Sequence, residues 1–303
     1  MSRAPSGEQL EIRYGEQRAT IVEVGGGIRS YENDAREVLD SYRAGAICDG
    51  AHGAALIPWP NRLADGRYRF AGIEHQLGLT EPGQLCAIHG LLRWRPWRAL
   101  EHDRERVVVG TRLYPQPGYP FMLEVSIEYE LGEAGLRVRT AAINGGEQAC
   151  PFGCGQHPYL SPGAGTIADC LLGLSAATHI VANERGLPVG TESVAGRKFD
   201  FSAGVRIGDL VIDDAFTDLT RDPAGRATVA LTGADGITVE LWADRHYGFL
   251  QLFSGDTLAP ERRRRGLAVE PMTCPANALA SGDSLLTLGP GESFTGEWGV
   301  GLR

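Results

Sequence analysis

Leu123-Glu-Val-Ser-Ile-Glu-Tyr-Glu-Leu131 alternates without a break. Leu123, Val125, Ile127, Tyr129 and Leu131 point one way, and Glu124, Ser126, Glu128 and Glu130 the other. A period of two gives a strand with one dry face and one wet face. The turn Gly132-Glu-Ala-Gly135 follows, and then Leu136, Val138 and Thr140 alternate with Arg137 and Arg139. The segment therefore reads as an antiparallel hairpin. A second hairpin is ATVAL (227–231), the turn Gly233-Ala-Asp-Gly236, and ITVELW (237–242). Working outward, LEIRY (10–14), ATIVEV (19–24), YRFAG (68–72), RVVVGTRLY (106–114), GFLQLF (248–253), GLAVE (266–270) and FTGEWGVGL (294–302) are further strands. Only NDAREVLDSY (33–42) offers a short helix, with an irregular loop as the alternative. Many short strands, punctuated by 41 Gly and 17 Pro, predict an all-β sandwich or barrel with little helix. No linker, repeat or low-complexity segment divides residues 1–303, so one domain is expected.

The formal charge of −9 argues against nucleic acid or an anionic membrane as the main partner. The basic run Arg262–Arg265 reads as a solvated loop. Lys198 is the only lysine and precedes Phe199, so no phosphate-binding P-loop can be written. The polar start MSRAPSGEQLEI lacks a signal-peptide core, no run is long enough to span a membrane, and a cytoplasmic protein is expected. Cys48, Cys86, Cys150, Cys154, Cys170 and Cys274 form no C-x-x-C pair, which predicts buried free thiols rather than disulfides or a zinc site.

Five polar strings interrupt the strands, each beside Gly or Pro, where strands end and loops begin. They are WPNRLADGRY (59–68), AIHGLLRWRPW (87–97), GCGQHPYL (153–160), IDDAFTDL (212–219) and LAVEPMTCPANAL (267–279). Arg62 offers a rigid fork of donors for paired oxygens. His89 and His157 sit in glycine-rich loops, whereas His52, His75, His102, His179 and His246 read as structural or exposed. Glu270 ends an apolar strand immediately before Pro271, a setting that desolvates a carboxylate and tunes it toward general-base work. Two histidines and a carboxylate from distant segments suggest acid–base chemistry. Gly25-Gly26-Gly27 precedes IRSYEN, another strand, so it reads as a turn or bulge and not a dinucleotide loop. No close-spaced ligand pair argues for a metal, and no G-x-S-x-G argues for a serine hydrolase.

Taken in order, the five strings resemble the aldose 1-epimerase (galactose mutarotase) family from about Gly25 to Glu297, with LTLGPGESF (286–294) similar to its closing strand. The resemblance implies a large antiparallel β-supersandwich. It also implies interconversion of the α and β anomers of a free aldose, without cofactor or metal. Carried over, Glu270 is the general base and His157 the general acid. Asn61, Arg62, His89, Asp213 and Gln251 bind the sugar. The family's chemistry places a carboxylate and a histidinium on opposite sides of the ring, and Trp59 reads as a core residue first and as a candidate for packing on an apolar sugar face second. Adjacent strand residues face opposite ways, so only one of the Asp213-Asp214 pair can enter the pocket, and the resemblance to the family implies that it is Asp213.

The chain departs from the best-known members, which read Asp-His where it has Asp213-Asp214 and Glu-Thr-Gln where it has Glu270-Pro271-Met272. It is therefore more similar to a divergent bacterial branch, with the sugar left open. Three alternatives remain. A hexose-phosphate 1-epimerase would use Arg62, Arg93 and Arg95. A glycoside hydrolase would use Asp213 and Glu270. A non-catalytic carbohydrate-binding sandwich would use neither pair for chemistry. The expected partner is a small sugar, and the expected state a monomer or homodimer.

Overall fold

A computed structural model describes residues 4–161 and 163–303. Strands Leu123–Gly132 and Gly135–Asn144 pair from Leu123↔Asn144 to Gly132↔Gly135, and every second residue of the first is buried. Ser293–Leu302 pairs with Gly135–Asn144 on one side and Thr238–Ala243 on the other. Arg98–His102, Arg106–Leu113, Ala227–Thr232, Leu171–Leu174 and Val205–Arg206 complete a nine-stranded sheet.

The second sheet has twelve strands among the described residues. Gln9–Tyr14, Gln17–Val22, Ile28–Asn33 and Arg36–Leu39 form a meander. Next come Tyr159–Leu160, Leu267–Met272, Phe249–Phe253, Asp213–Leu219, Ala176–Ala182 and Pro188–Ser193. Gly155–Gln156 and Ala55–Leu56 attach beside Leu267–Met272. One apolar cluster running from Leu10 to Val300 fills the space between the two sheets. Regular helix among the described residues is confined to Ala278–Ser281 and two single 3₁₀ turns.

Two expectations are corrected. NDAREVLDSY forms no helix: Asn33 pairs with Arg36 across a two-residue turn at Asp34 and Ala35, both with positive φ (49° and 58°). That is the conformation a tight hairpin demands. The strand carrying Glu270 does not stop at Pro271 but runs to Met272. Val269 and Thr273 donate their N–H groups to Pro158 and Cys154. Position 271 belongs to the same donor series, and proline leaves the ladder open there, between Gly155–Gln156 and Tyr159–Leu160. His157 occupies that break.

The cysteines are all free, and all but Cys48 are buried. The basic run is not simply solvated: Arg262 bonds Asp40 and Arg264 bonds Asp256.

Candidate active site

Three neighbouring strands set one wall. Asp213 pairs with Phe253, Ala215 with Gln251, and Gln251 with Glu270. With a two-residue period, Glu270, Gln251, Ala215 and Asp213 share a face, and Asp214 takes the other. The side chains agree. Gln251 donates to Asp213 Oδ1 at 2.7 Å, while Asp214 accepts from the buried His179 Nε2 at 2.8 Å.

His157 approaches from the break in the sheet. Its Nε2 lies 3.2 Å from Glu270 Oε1, and both residues are almost fully buried. The ring of Tyr159 stacks on His157 at 5.0 Å, and His52 stacks on Tyr159 at 3.8 Å. His52 Nε2 in turn sits 3.0 Å from Asp40, which also accepts from Arg262 at 2.9 Å. His52 is therefore structural, as read from sequence, but it braces the stack behind His157.

Loops supply the opposite side. Asn61 and His89 both adopt positive φ (54° and 61°) and lock together. His89 N–H donates to Asn61 O at 3.0 Å, and Asn61 N–H donates to His89 Nδ1 at 3.2 Å. A backbone N–H can only donate, so His89 Nδ1 carries a lone pair and the neutral ring bears its proton on Nε2. His89 is thereby a fixed hydrogen-bond donor. Its ring meets His157 edge-on at 5.4 Å. The Asn61 side-chain oxygen is taken by Arg62 N–H at 2.8 Å, so Asn61 shapes the loop. Arg62 grips both oxygens of Glu81, at 2.7 and 2.9 Å, and stands 4.0 Å from Asp213.

Glu270, His157, His89, Asn61, Arg62, Glu81 and Asp213 line a cleft of about 290 Å³, with Glu270, His157, His89, Asn61 and Tyr159 among its buried part and Phe253, Arg93, Thr80 and Thr257 also in its lining. Gln251 is not in this lining. It sits behind Asp213, in a narrow side recess, and acts by holding that carboxylate. Trp59 is also absent from the cleft; it is buried in the core. A larger hollow of about 620 Å³ lies over Arg106–Leu113 and Leu123–Gly132. Its Arg112 and Glu124 pair with each other at 2.7 Å, and it gathers no histidine or unpaired carboxylate, so the smaller cleft is the candidate site. Glu81 was not among the residues assigned to the site from sequence, and Arg93 entered there only under the hexose-phosphate alternative. Glu81 directly precedes Pro82, the same signature that marked Glu270.

Burial dominates the electrostatics. It raises Glu270 well above the usual carboxylate range, helped by the nearby Asp213 and opposed by Arg62. It lowers His157 to about 3, with the charge of His52 adding to the effect. His89 is pushed well below the ordinary histidine value by burial and by His157. Asp213, still half open to the cleft, is raised by burial and held back by Arg62. Burial thus disfavours charge on both groups of the pair. The ionised carboxylate and histidinium expected from sequence are one proton transfer from the neutral pair, along the same contact. The expectation that the two groups face each other across the sugar is also corrected, because they touch.

His89, His157 and Glu270 offer ligand atoms all within 4.8 Å of one another. A metal-binding histidine normally donates its second ring N–H to an acceptor. His89 Nδ1 instead accepts one, and His157 Nδ1 has no partner, so the trio fits a metal poorly.

The family profile described as aldose 1-epimerase matches residues 8–300. The chain belongs to the aldose 1-epimerase family. It is 35% identical over 288 residues to the uncharacterized protein YihR of Escherichia coli K12, covering 95% of this chain and 91% of that one. The aldose 1-epimerase fold is evident in solved structures as well. A GalM/aldose epimerase homologue from C. elegans superposes with a TM-score of 0.86 at 17% identity, covering 98% of both chains. Galactose 1-epimerase from Lactobacillus acidophilus gives 0.81 at 21% identity, covering 100% of this chain and 97% of that one. The galactose mutarotase-like sandwich expected from sequence is the observed architecture.

Proposed function

We propose that this aldose 1-epimerase family member interconverts the anomers of a free aldose, with Glu270 and His157 as its acid–base pair. The observation that carries the reading is their buried 3.2 Å contact in a cleft of sugar size. Ring opening removes the proton from O1 and delivers one to the ring oxygen. Both oxygens are bonded to C1, so two touching groups can reach them from one side. The pair holds a single proton. When it sits on His157, Glu270 accepts the O1 proton as base while His157 protonates the ring oxygen as acid. Rotation about C1–C2 followed by the reverse transfers closes the ring on its other face. His89 Nε2–H donates to a sugar oxygen, and Asp213 and Arg62 orient hydroxyls.

The test is NMR exchange between α and β anomers of free aldoses, with and without enzyme. Exchange well above the spontaneous rate is expected. Binding without acceleration would make the chain a carbohydrate-binding sandwich. Release of reducing sugar from a glycoside, without anomer exchange, would make it a hydrolase.

A further inference from the structure

Arg93 is the cleft's unspent cation. Of the two arginines lining it, Arg62 has its fork filled by the two oxygens of Glu81. The Arg93 guanidinium has no hydrogen bond or ion pair among the described residues. It lies over the face of Trp94, 5.2 Å from the guanidinium carbon, and feels the Glu81 carboxylate only through space, that group being bonded to Arg62. Arg95, next but one along the chain, is exposed and spends its fork on Gln116, outside the cleft.

The backbone under Arg93 is fixed. Leu91 N–H donates to Ile57 O at 2.7 Å, and Arg95 N–H donates to Leu92 O at 3.1 Å. Gly25 packs against the Arg93 carbonyl so closely that a Cβ there would lie 2.5 Å from its oxygen, at a φ of +85°. The first glycine of the Gly25–Gly27 run thus seats the loop that presents Arg93. Arg93 is only half-buried, and its charge reaches both His89 and His157. A partly desolvated guanidinium held in a cleft with no directly bonded anion is costly. Its five donors match a planar or tetrahedral oxyanion.

We propose that the substrate is an anionic sugar whose oxyanion substituent is bound by Arg93. This rests on the mutarotase reading and narrows it. C1 must carry a free hydroxyl for the ring to open, so the anion belongs on another carbon, and sugars substituted at C6 are the natural probes. The formal charge of −9 would repel such a ligand over most of the surface, which makes a local cation necessary.

The experiment compares glucose, glucuronate, glucose 6-sulfate and glucose 6-phosphate by NMR anomer exchange and by calorimetric titration. At least one anionic sugar should exceed glucose in kcat/KM, and the preferred member distinguishes carboxylate, sulfur oxyanion and phosphate. In Arg93→Gln the ratio of anionic to neutral kcat/KM should fall about 10- to 100-fold, the worth of a charge-assisted contact. Arg93→Lys should restore part of it. Equal or better turnover of glucose by the wild type would overturn the anion site and leave the mutarotase reading intact. Tight, Arg93-dependent binding of an anionic sugar without exchange would keep the site and remove the mutarotase reading. Absence of both binding and exchange for all four sugars would remove both, and an anionic preference unchanged in Arg93→Gln would remove Arg93 from it.

Discussion

In the proposed mechanism Glu270 and His157 share one proton, and the burial of both residues sets the expected pH behaviour. Burial raises the carboxyl and lowers the imidazole to about 3. The active form carries one proton on the pair, so activity falls when a second is added or the first is lost. The acid limb of kcat/KM should lie below the ordinary histidine value of about 6.5, and the basic limb above the ordinary carboxylate range. An acid limb near 6.5 would mean that His157 is not desolvated in the working enzyme. Glu270→Gln and His157→Asn should each lower kcat roughly 10²–10⁴-fold while the protein stays folded. Wild-type exchange in folded Glu270→Gln would end this mechanism. At the neighbouring pair, Asp213→Asn should raise KM, whereas Asp214→Asn should act on stability through His179. The reverse pattern would shift the register of that strand by one. Glu270 and His157 could be picked out as candidates because each stands beside Gly, Pro or a strand end, whereas Asp213 was singled out only through the family resemblance. The proton arrangement was not legible, because it depends on burial by residues far away in sequence.

Strands and their turns carry the next level. The alternating segments were readable because period-two burial is local. NDAREVLDSY was misleading because its turn uses positive φ at Asp34 and Ala35, neither of them glycine. Pro271 hid the continuation of its strand, since an isolated proline ordinarily argues for a strand end. Gly53 shows what such turns do for the site. Its N–H donates to His157 O at 2.9 Å, and its carbonyl accepts from Ile28 N–H at 3.0 Å. It sits at φ +63°, and a Cβ would fall 1.9 Å from Ile28 O. Gly53→Ala must therefore either strain the turn, at about 1–3 kcal/mol, or push His157 out of its place in the break of the sheet. A thermal melt should show a Tm lowered by several degrees, with kcat lowered as well. An unchanged melt and unchanged exchange rate would mean that the loop relaxes freely.

At the scale of the molecule, the order of strands in the two sheets was not legible. Alternation tells which side of a strand is dry but not which strand lies beside it. Ser293–Leu302 inserts between Gly135–Asn144 and Thr238–Ala243, a pairing that local patterning does not announce. The two sheets are also joined by a buried polar bridge. Gln156, from the sheet that carries His157, donates to Tyr129 Oη at 2.7 Å and accepts from Trp298 Nε1 at 3.1 Å, both on the opposite sheet. Tyr129 then donates to Gly26 O at 2.6 Å. Tyr129→Phe orphans the Gly26 carbonyl and weakens the hold on Gln156, and Gln156→Leu orphans the Trp298 N–H. Each should cost about 1–3 kcal/mol, the penalty for a buried group left unpaired. The members share partners, so the double variant should lose less stability than the sum of the two single losses. Denaturant titration of the four proteins measures this directly. Strict additivity would mean that Tyr129 and Gln156 stabilise the two sheets independently and that no bridge couples them.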